Sequence, residues 1–159
     1  MAIAPVNYHG DRAVDIARSK IGMCEEGGSN EGPIVVWSMR PWSRAHVGEW
    51  AQWCTAFVCT CLLEAGAPVR QVASTSCTRL WENCSQAGWA WENNLAQVPQ
   101  PGDVVFFAHG EELGHTALVA TYDAERQLLT TVEGNAGDCV QEAEYGLGDE
   151  QVYGFARIV

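Results

Sequence analysis

What most constrains this chain is a change of hydrophobic rhythm near Pro99. Upstream, apolar residues recur at intervals of three and four, as on helices with one buried face. Downstream come short apolar runs broken by Gly and Asp, as in strands joined by turns. In the first part, Asp11 is placed to cap a helix to about Ile21, with Ala13, Ile16, Ala17 and Ile21 near one face and Gly22 ending it. A polar, glycine-rich loop over residues 25–32 precedes a short helix opened by Pro33 and reaching Met39. A stronger helix spans about residues 53–65, stopped by Gly66 and Pro68, and another covers about 78–86. After Pro99, residues 103–108, 115–122, 128–133 and 152–159 read as strands. Helices first and an antiparallel sheet afterwards predict an α+β domain, with N-terminal helices packed on an antiparallel β-sheet. No repeat, low-complexity tract or long linker divides the chain, so residues 1–159 are expected to form one domain, and a monomer.

Charge narrows the range of partners. Twenty acidic residues against nine basic ones give a net charge of −11. Nucleic acid is therefore a poor partner, because neutralising phosphates needs clustered Lys and Arg. Strong docking on anionic surfaces is disfavoured for the same reason. No run approaches the roughly 18–20 apolar residues of a membrane span. The first eleven residues lack a basic stretch followed by an apolar one, so no secretory leader is read there. The expected site of synthesis is the cytoplasm, with any action outside it waiting on release by other means.

Seven cysteines, an odd number without a leader, point to free thiols in reducing surroundings rather than to a disulfide scaffold. Cys54, Cys59 and Cys61 lie close together, but their spacing fits no paired Cys-x-x-Cys zinc pattern. No metal is expected there.

One of these thiols has a position that favours chemistry. Cys54 stands at the N-terminal end of the strong helix, where unpaired N–H groups and the helix dipole stabilise a thiolate. Cys59 and Cys61 lie deeper in the helix and lack that help. By position alone a cysteine is more often a small core residue. A nucleophilic thiol also needs a base that titrates near neutrality. The chain has four histidines, His9, His46, His109 and His115. His115 opens an apolar strand after Gly114, where a side chain can face a cleft while the strand behind it is anchored; a structural histidine is the alternative. The base in turn needs an acceptor to orient it. Glu133 and Asn135 end the next strand, and a hairpin turning near residues 123–126 brings Glu133 beside His115. Their common strand parity would aim Glu133 and Asn135 the same way; as isolated residues they read first as turn formers.

The segments WCTAFVCTCLLEAG, PGDVVFF, GHTALVATYD and TTVEGN, in that order, resemble the CHAP domain, the cysteine, histidine-dependent amidohydrolase/peptidase family. The upstream stretch ARSKIGMCEEGGSNEGPI is similar to the N-terminal part of CHAP proteins of phages and prophages, so the resemblance runs from about residue 11 to 157. It implies a papain-like α+β fold with Cys54 as nucleophile, His115 as general base, Glu133 orienting the imidazole and Asn135 as a further polar member. Gln52 is a candidate oxyanion donor beside the backbone N–H of Cys54, with a helix cap as its other reading. Trp50 and Trp53 offer aromatic faces to a groove or else fill the core. By the same resemblance the loop ending at Asn30 forms part of the cleft wall.

Such an enzyme needs no cofactor, and the resemblance implies bacterial peptidoglycan as substrate, in the manner of a phage endolysin. The bond would be the N-acetylmuramoyl–L-alanine amide or a peptide bond. Two departures stand out. The stretch before Cys54, RAHVGE, lacks the alternating aspartates of a calcium loop, and the chain has no room for a separate cell-wall-binding domain. Three alternatives stay open: a cytosolic amidase of a small amide such as a glutathione–polyamine conjugate, which suits an acidic protein better; a non-catalytic wall-binding module of a phage tail; and an antibacterial amidase toxin.

Overall fold

The computed structural model of the protein describes residues 9–44, 52–94 and 97–159. Four helices, α1 (Gly10–Ser19), α2 (Pro33–Met39), α3 (Cys54–Glu64) and α4 (Cys77–Gln86), come first, with a short 3-10 turn at Val69–Gln71. Six strands follow: β1 (Ala90–Glu92), β2 (Val104–His109), β3 (Glu112–Asp123), β4 (Leu128–Ala136), β5 (Cys139–Gly146) and β6 (Val152–Ala156). They form one sheet in the order β1-β6-β2-β3-β4-β5, with every neighbouring pair antiparallel. This is the α+β architecture the change of rhythm calls for.

The helices follow their sequence signals with small shifts. α1 begins at Gly10, so Asp11 lies inside the first turn rather than capping it, where its charge complements the positive helix end. The helix ends at Ser19, and Gly22 takes a φ of +91° in the turn that follows. α3 departs more. The spacing predicts one broad apolar face, yet every residue from Cys54 to Leu62 is buried. A helix apolar on all sides belongs in the interior, and α3 packs against α1, α2, β3 and β4 together.

Alternation along the strands builds two apolar layers. Val104, Phe106, Leu118, Ala120 and Val132 join the core beneath the helices. Val105, Phe107, Ala117, Val119 and Leu129 join a smaller cluster on the other face. Buried between the start of β2 and the end of β6, Asp103 takes a two-pronged contact from Arg157, Nε to Oδ1 at 2.9 Å and Nη2 to Oδ2 at 2.7 Å. No described helix is long and apolar enough to cross a membrane.

β1 and β5 are additions to the strands expected from sequence. β5 is an edge strand carrying Gln141, Glu142 and Glu144, a polar pattern that discourages pairing with other chains and hides its strand character. The thiol expectation also needs correction. Cys24 and Cys139 form a disulfide across an antiparallel bridge, 115 residues apart in sequence. A cysteine count cannot reveal this pair, because only the pairing of residues 22–25 with 138–140 brings the two together.

Candidate active site

Cys54 is the first residue of α3, and the unpaired amide end of the helix lies at its backbone. The residue is only 3% exposed, yet it lines an open cavity of about 440 Å³ together with Gln52, Thr55, Cys77 and Gly114. A second cavity of about 400 Å³ is lined by Asn30, Gln52, His109, Gly114, His115 and Asn135. The two share Gln52 and Gly114, so they form two lobes of one cleft, with the thiol in one and the imidazole in the other.

His115 is the fourth residue of β3 rather than its opening, because Glu112 and Leu113 continue the pairing with β2 past a bulge at Phe107 and Ala108. Its Nε2 lies 3.2 Å from Oε1 of Glu133, and Cys54 is the other group whose charge bears on the ring. Behind it, the ring packs on Phe107 at 5.7 Å, and Phe107 on Tyr145 at 4.6 Å. Tyr145 also donates its hydroxyl to Glu133, 2.9 Å from Oε1 and 3.1 Å from Oε2. Glu133 is buried but well supplied with partners, as a carboxylate out of water must be.

The hairpin turns where expected, between Asp123 and Leu128, with the Asp123 side chain accepting from the backbone N–H groups of Glu125 and Arg126. The parity expectation for Glu133 and Asn135 fails locally. A bulge interrupts β4 between Glu133 and Ala136, and Asn135 takes a left-handed φ of 57°. Asn135 still lines the His115 lobe. Gly134 permits this path, since a Cβ there would stand 2.6 Å from Cβ of Phe57 and 2.9 Å from the Trp53 ring. Only a bare backbone lets the end of β4 press against the start of α3.

The electrostatics separate one thiol from the others. A hydrogen bond from Cys77 contributes most to lowering the Cys54 pKa to about 4; burial opposes it, and the bond and positive charge of His115 assist. Burial alone would push His115 down, but hydrogen bonds and negative charge from Cys54 and Glu133 raise it to about 9. Between those values the pair is thiolate and imidazolium. By contrast, burial pushes Cys59 and Cys84 up to about 12 and Cys61 up as well. Thiolate chemistry is thus concentrated at the helix end. Among the described residues, no group of three or more His, Cys, Asp or Glu is arranged to hold a metal ion.

The remaining sequence candidates divide. Gln52 is exposed and borders both lobes, and Asn30 lines one of them. Trp53 is fully buried, packed edge-on to Phe57 and donating Nε1 to Oε1 of Glu25 at 2.9 Å, so it stands behind Cys54 rather than in the groove. Trp50 lies outside the described residues. Sequence reading missed Tyr145, hidden on the polar edge strand, and Thr55, Thr116 and Cys77, which converge only in the fold. It also missed Glu25, whose other oxygen accepts from the backbone N–H of Asn30 at 2.9 Å and so ties the cleft wall to Trp53, the residue before Cys54.

The family model described as "CHAP domain" matches residues 45–135, more than half of the chain. No curated protein matches it. Among solved structures, the crystal structure of Ly7917 with the hydrolyzing product of MDP is similar with a TM-score of 0.50 at 16% identity, over 92% of this chain and 62% of that one. A further crystal structure of Ly7917 gives a TM-score of 0.49 at 16% identity, over 92% and 61%. The chain therefore spans less than two thirds of the length of the protein it matches.

Proposed function

The chain belongs to the CHAP family, the cysteine, histidine-dependent amidohydrolases and peptidases, and we propose that it hydrolyses an amide bond of bacterial peptidoglycan in the manner of a phage endolysin. The observation that carries this reading is the meeting of three groups: His115 contacts Glu133 at 3.2 Å, and it shares with Cys54 an electrostatic coupling that favours thiolate and imidazolium. The polar lining of the cleft, with Ser29, Asn30, Gln52 and Asn135, suits a sugar-peptide substrate rich in amides and hydroxyls. The hydrolysis product of MDP in the Ly7917 crystal lends support to a wall-derived substrate.

In this mechanism the Cys54 thiolate attacks the amide carbon, and the negative charge passes to the carbonyl oxygen. The backbone N–H of Cys54 and the side-chain amide of Gln52 receive it. The His115 imidazolium gives its proton to the leaving amine, and a thioester remains on Cys54. Neutral His115 then takes a proton from water, and the resulting hydroxide releases the acid and restores the thiolate. Glu133 holds the ring so that Nδ1 faces the reaction. Asn135 offers a polar contact at the substrate's edge.

The test is digestion of purified sacculi, followed by mass spectrometry of the new amino and carboxyl termini. Wild type is expected to release fragments with one type of new terminus, which identifies the bond as muramoyl–alanine or peptide. Cys54→Ala is expected to release none. Release by that variant at the wild-type rate would overturn the mechanism.

The net charge of −11 favours one other substrate, a small amide carrying a polyamine, such as a glutathione–polyamine conjugate. Turnover of that conjugate without release from sacculi would support it over the wall.

A further inference from the structure

A second thiol meets the nucleophile from a different helix. Cys77 is the first residue of α4, as Cys54 is of α3, and both line the same lobe of the cleft. The Cys77 sulfur lies 2.9 Å from the Thr55 hydroxyl, which also stands 3.8 Å from the Cys54 sulfur and so links the two thiols. Thr116, on β3 beside His115, donates its hydroxyl to the Thr55 oxygen at 3.2 Å. One direction that satisfies these contacts runs from Thr116 through Thr55 to Cys77. Because Thr55 oxygen accepts from Thr116, its own hydrogen is available to the Cys77 sulfur. The Cys77 S–H is then left to point at Cys54. A thiol has a single hydrogen to give, and the thiolate facing His115 is the acceptor with the greatest need of it.

We propose that Cys77 is a positioning residue of the active site, the last donor of a Thr116–Thr55–Cys77 chain whose S–H holds the Cys54 sulfur as an aligned thiolate. This rests on Cys54 being the nucleophile. Chains of hydrogen bonds in a poorly hydrated site strengthen one another, and a donor to the charged form favours that form. Direction of charge agrees with the geometry: the bond to Cys54 and burial push the Cys77 thiol up, so the proton stays on Cys77 while Cys54 ionises. Neither helix end alone accounts for the arrangement. The two threonines and the second thiol supply a fixed donor beside the Cys54 sulfur, leaving the imidazole proton for the leaving group.

The test is the rate at which iodoacetamide alkylates Cys54, followed by peptide mass spectrometry from about pH 5 to pH 8 in wild type, Cys77→Ala and Cys77→Ser. Wild type should react at nearly the same rate across that range. Without the donor, the Cys54 pKa should rise by roughly 1–2 units, so Cys77→Ala should lose about 2- to 10-fold in rate near pH 5. Cys77→Ser, which keeps an O–H donor, should recover part of that loss, and the acid limb of kcat/KM should move with the alkylation limb. A structural role alone would change both variants' melting temperatures without moving the limb. An unmoved limb in Cys77→Ala, with wild type fast at neutral pH, would overturn this inference alone. A wild-type Cys54 that reacts only as an ordinary thiol would overturn the nucleophile assignment, and this inference with it.

Discussion

Tyr145 donates one hydroxyl to both oxygens of Glu133, at 2.9 and 3.1 Å. Burial and the neighbouring carboxylate raise the Tyr145 pKa, so it stays protonated and remains a donor wherever the site works. Replacing it with Phe keeps the ring against Phe107 and removes only the hydroxyl. Loss of a hydrogen bond to a buried carboxylate costs about 1–2 kcal/mol. Tyr145→Phe should therefore lower kcat/KM roughly 5- to 30-fold, as read from release of soluble fragments. Unchanged kinetics would remove Tyr145 from the chain of support.

Glu133→Gln tests the carboxylate itself. Glu133 helps to raise His115 to about 9, so removing its charge should bring the imidazole pKa down. The active state needs His115 protonated with Cys54 ionised, and the alkaline limb of kcat/KM follows His115. That limb should shift to lower pH in the variant, with the plateau falling roughly 10- to 100-fold. A limb that stays in place would mean another group sets it.

Gly134 is the point where β4 passes over α3, with a prospective Cβ 2.6 Å from Phe57 and 2.9 Å from Trp53. Both neighbours are fully buried and cannot swing away. Gly134→Ala should cost about 1–3 kcal/mol by overpacking and reduce turnover by displacing Glu133. Thermal unfolding with parallel kinetics reads both effects; a variant as stable and active as wild type would show that the contact yields.

The Cys24–Cys139 disulfide closes 115 residues of chain. Restricting the unfolded state over that length is worth on the order of 4–5 kcal/mol in a chain-entropy treatment. It also precedes Glu25, whose carboxylate holds Trp53 and Asn30. A dithiol reductant should lower the melting temperature of wild type and weaken activity, while Cys24→Ser/Cys139→Ser should start lower and ignore the reductant. Equal melting of wild type with and without reductant would contradict a stabilising role.

Particular residues show what was readable in advance. Cys54 and His115 were legible because each carries a local signal, a helix start and a Gly-His before an apolar run. Glu133 followed from a hairpin whose Asp123 turn is also local. The sequence places His115 at the mouth of its strand, whereas a bulge lets β3 begin earlier, at Glu112. Tyr145 was not legible, since the alternating charges of β5 resemble a solvated loop. Cys77, Thr55 and Thr116 lie on three elements, and no spacing within one sequence segment announces their meeting. Asn135 reaches the cleft through a bulge and a left-handed turn rather than through the simple strand alternation that predicts its direction.

The most direct test of the whole account is a pH titration of thiolate absorbance in the ultraviolet, wild type minus Cys54→Ala. One thiolate should already be present at neutral pH and disappear only as the pH falls toward about 4. The buried thiols of Cys59 and Cys84 ionise only near 12 and leave that range clear. A difference signal that first appears near the ordinary thiol value of about 8.5 would contradict it, because Cys54 would then be a neutral thiol beside His115.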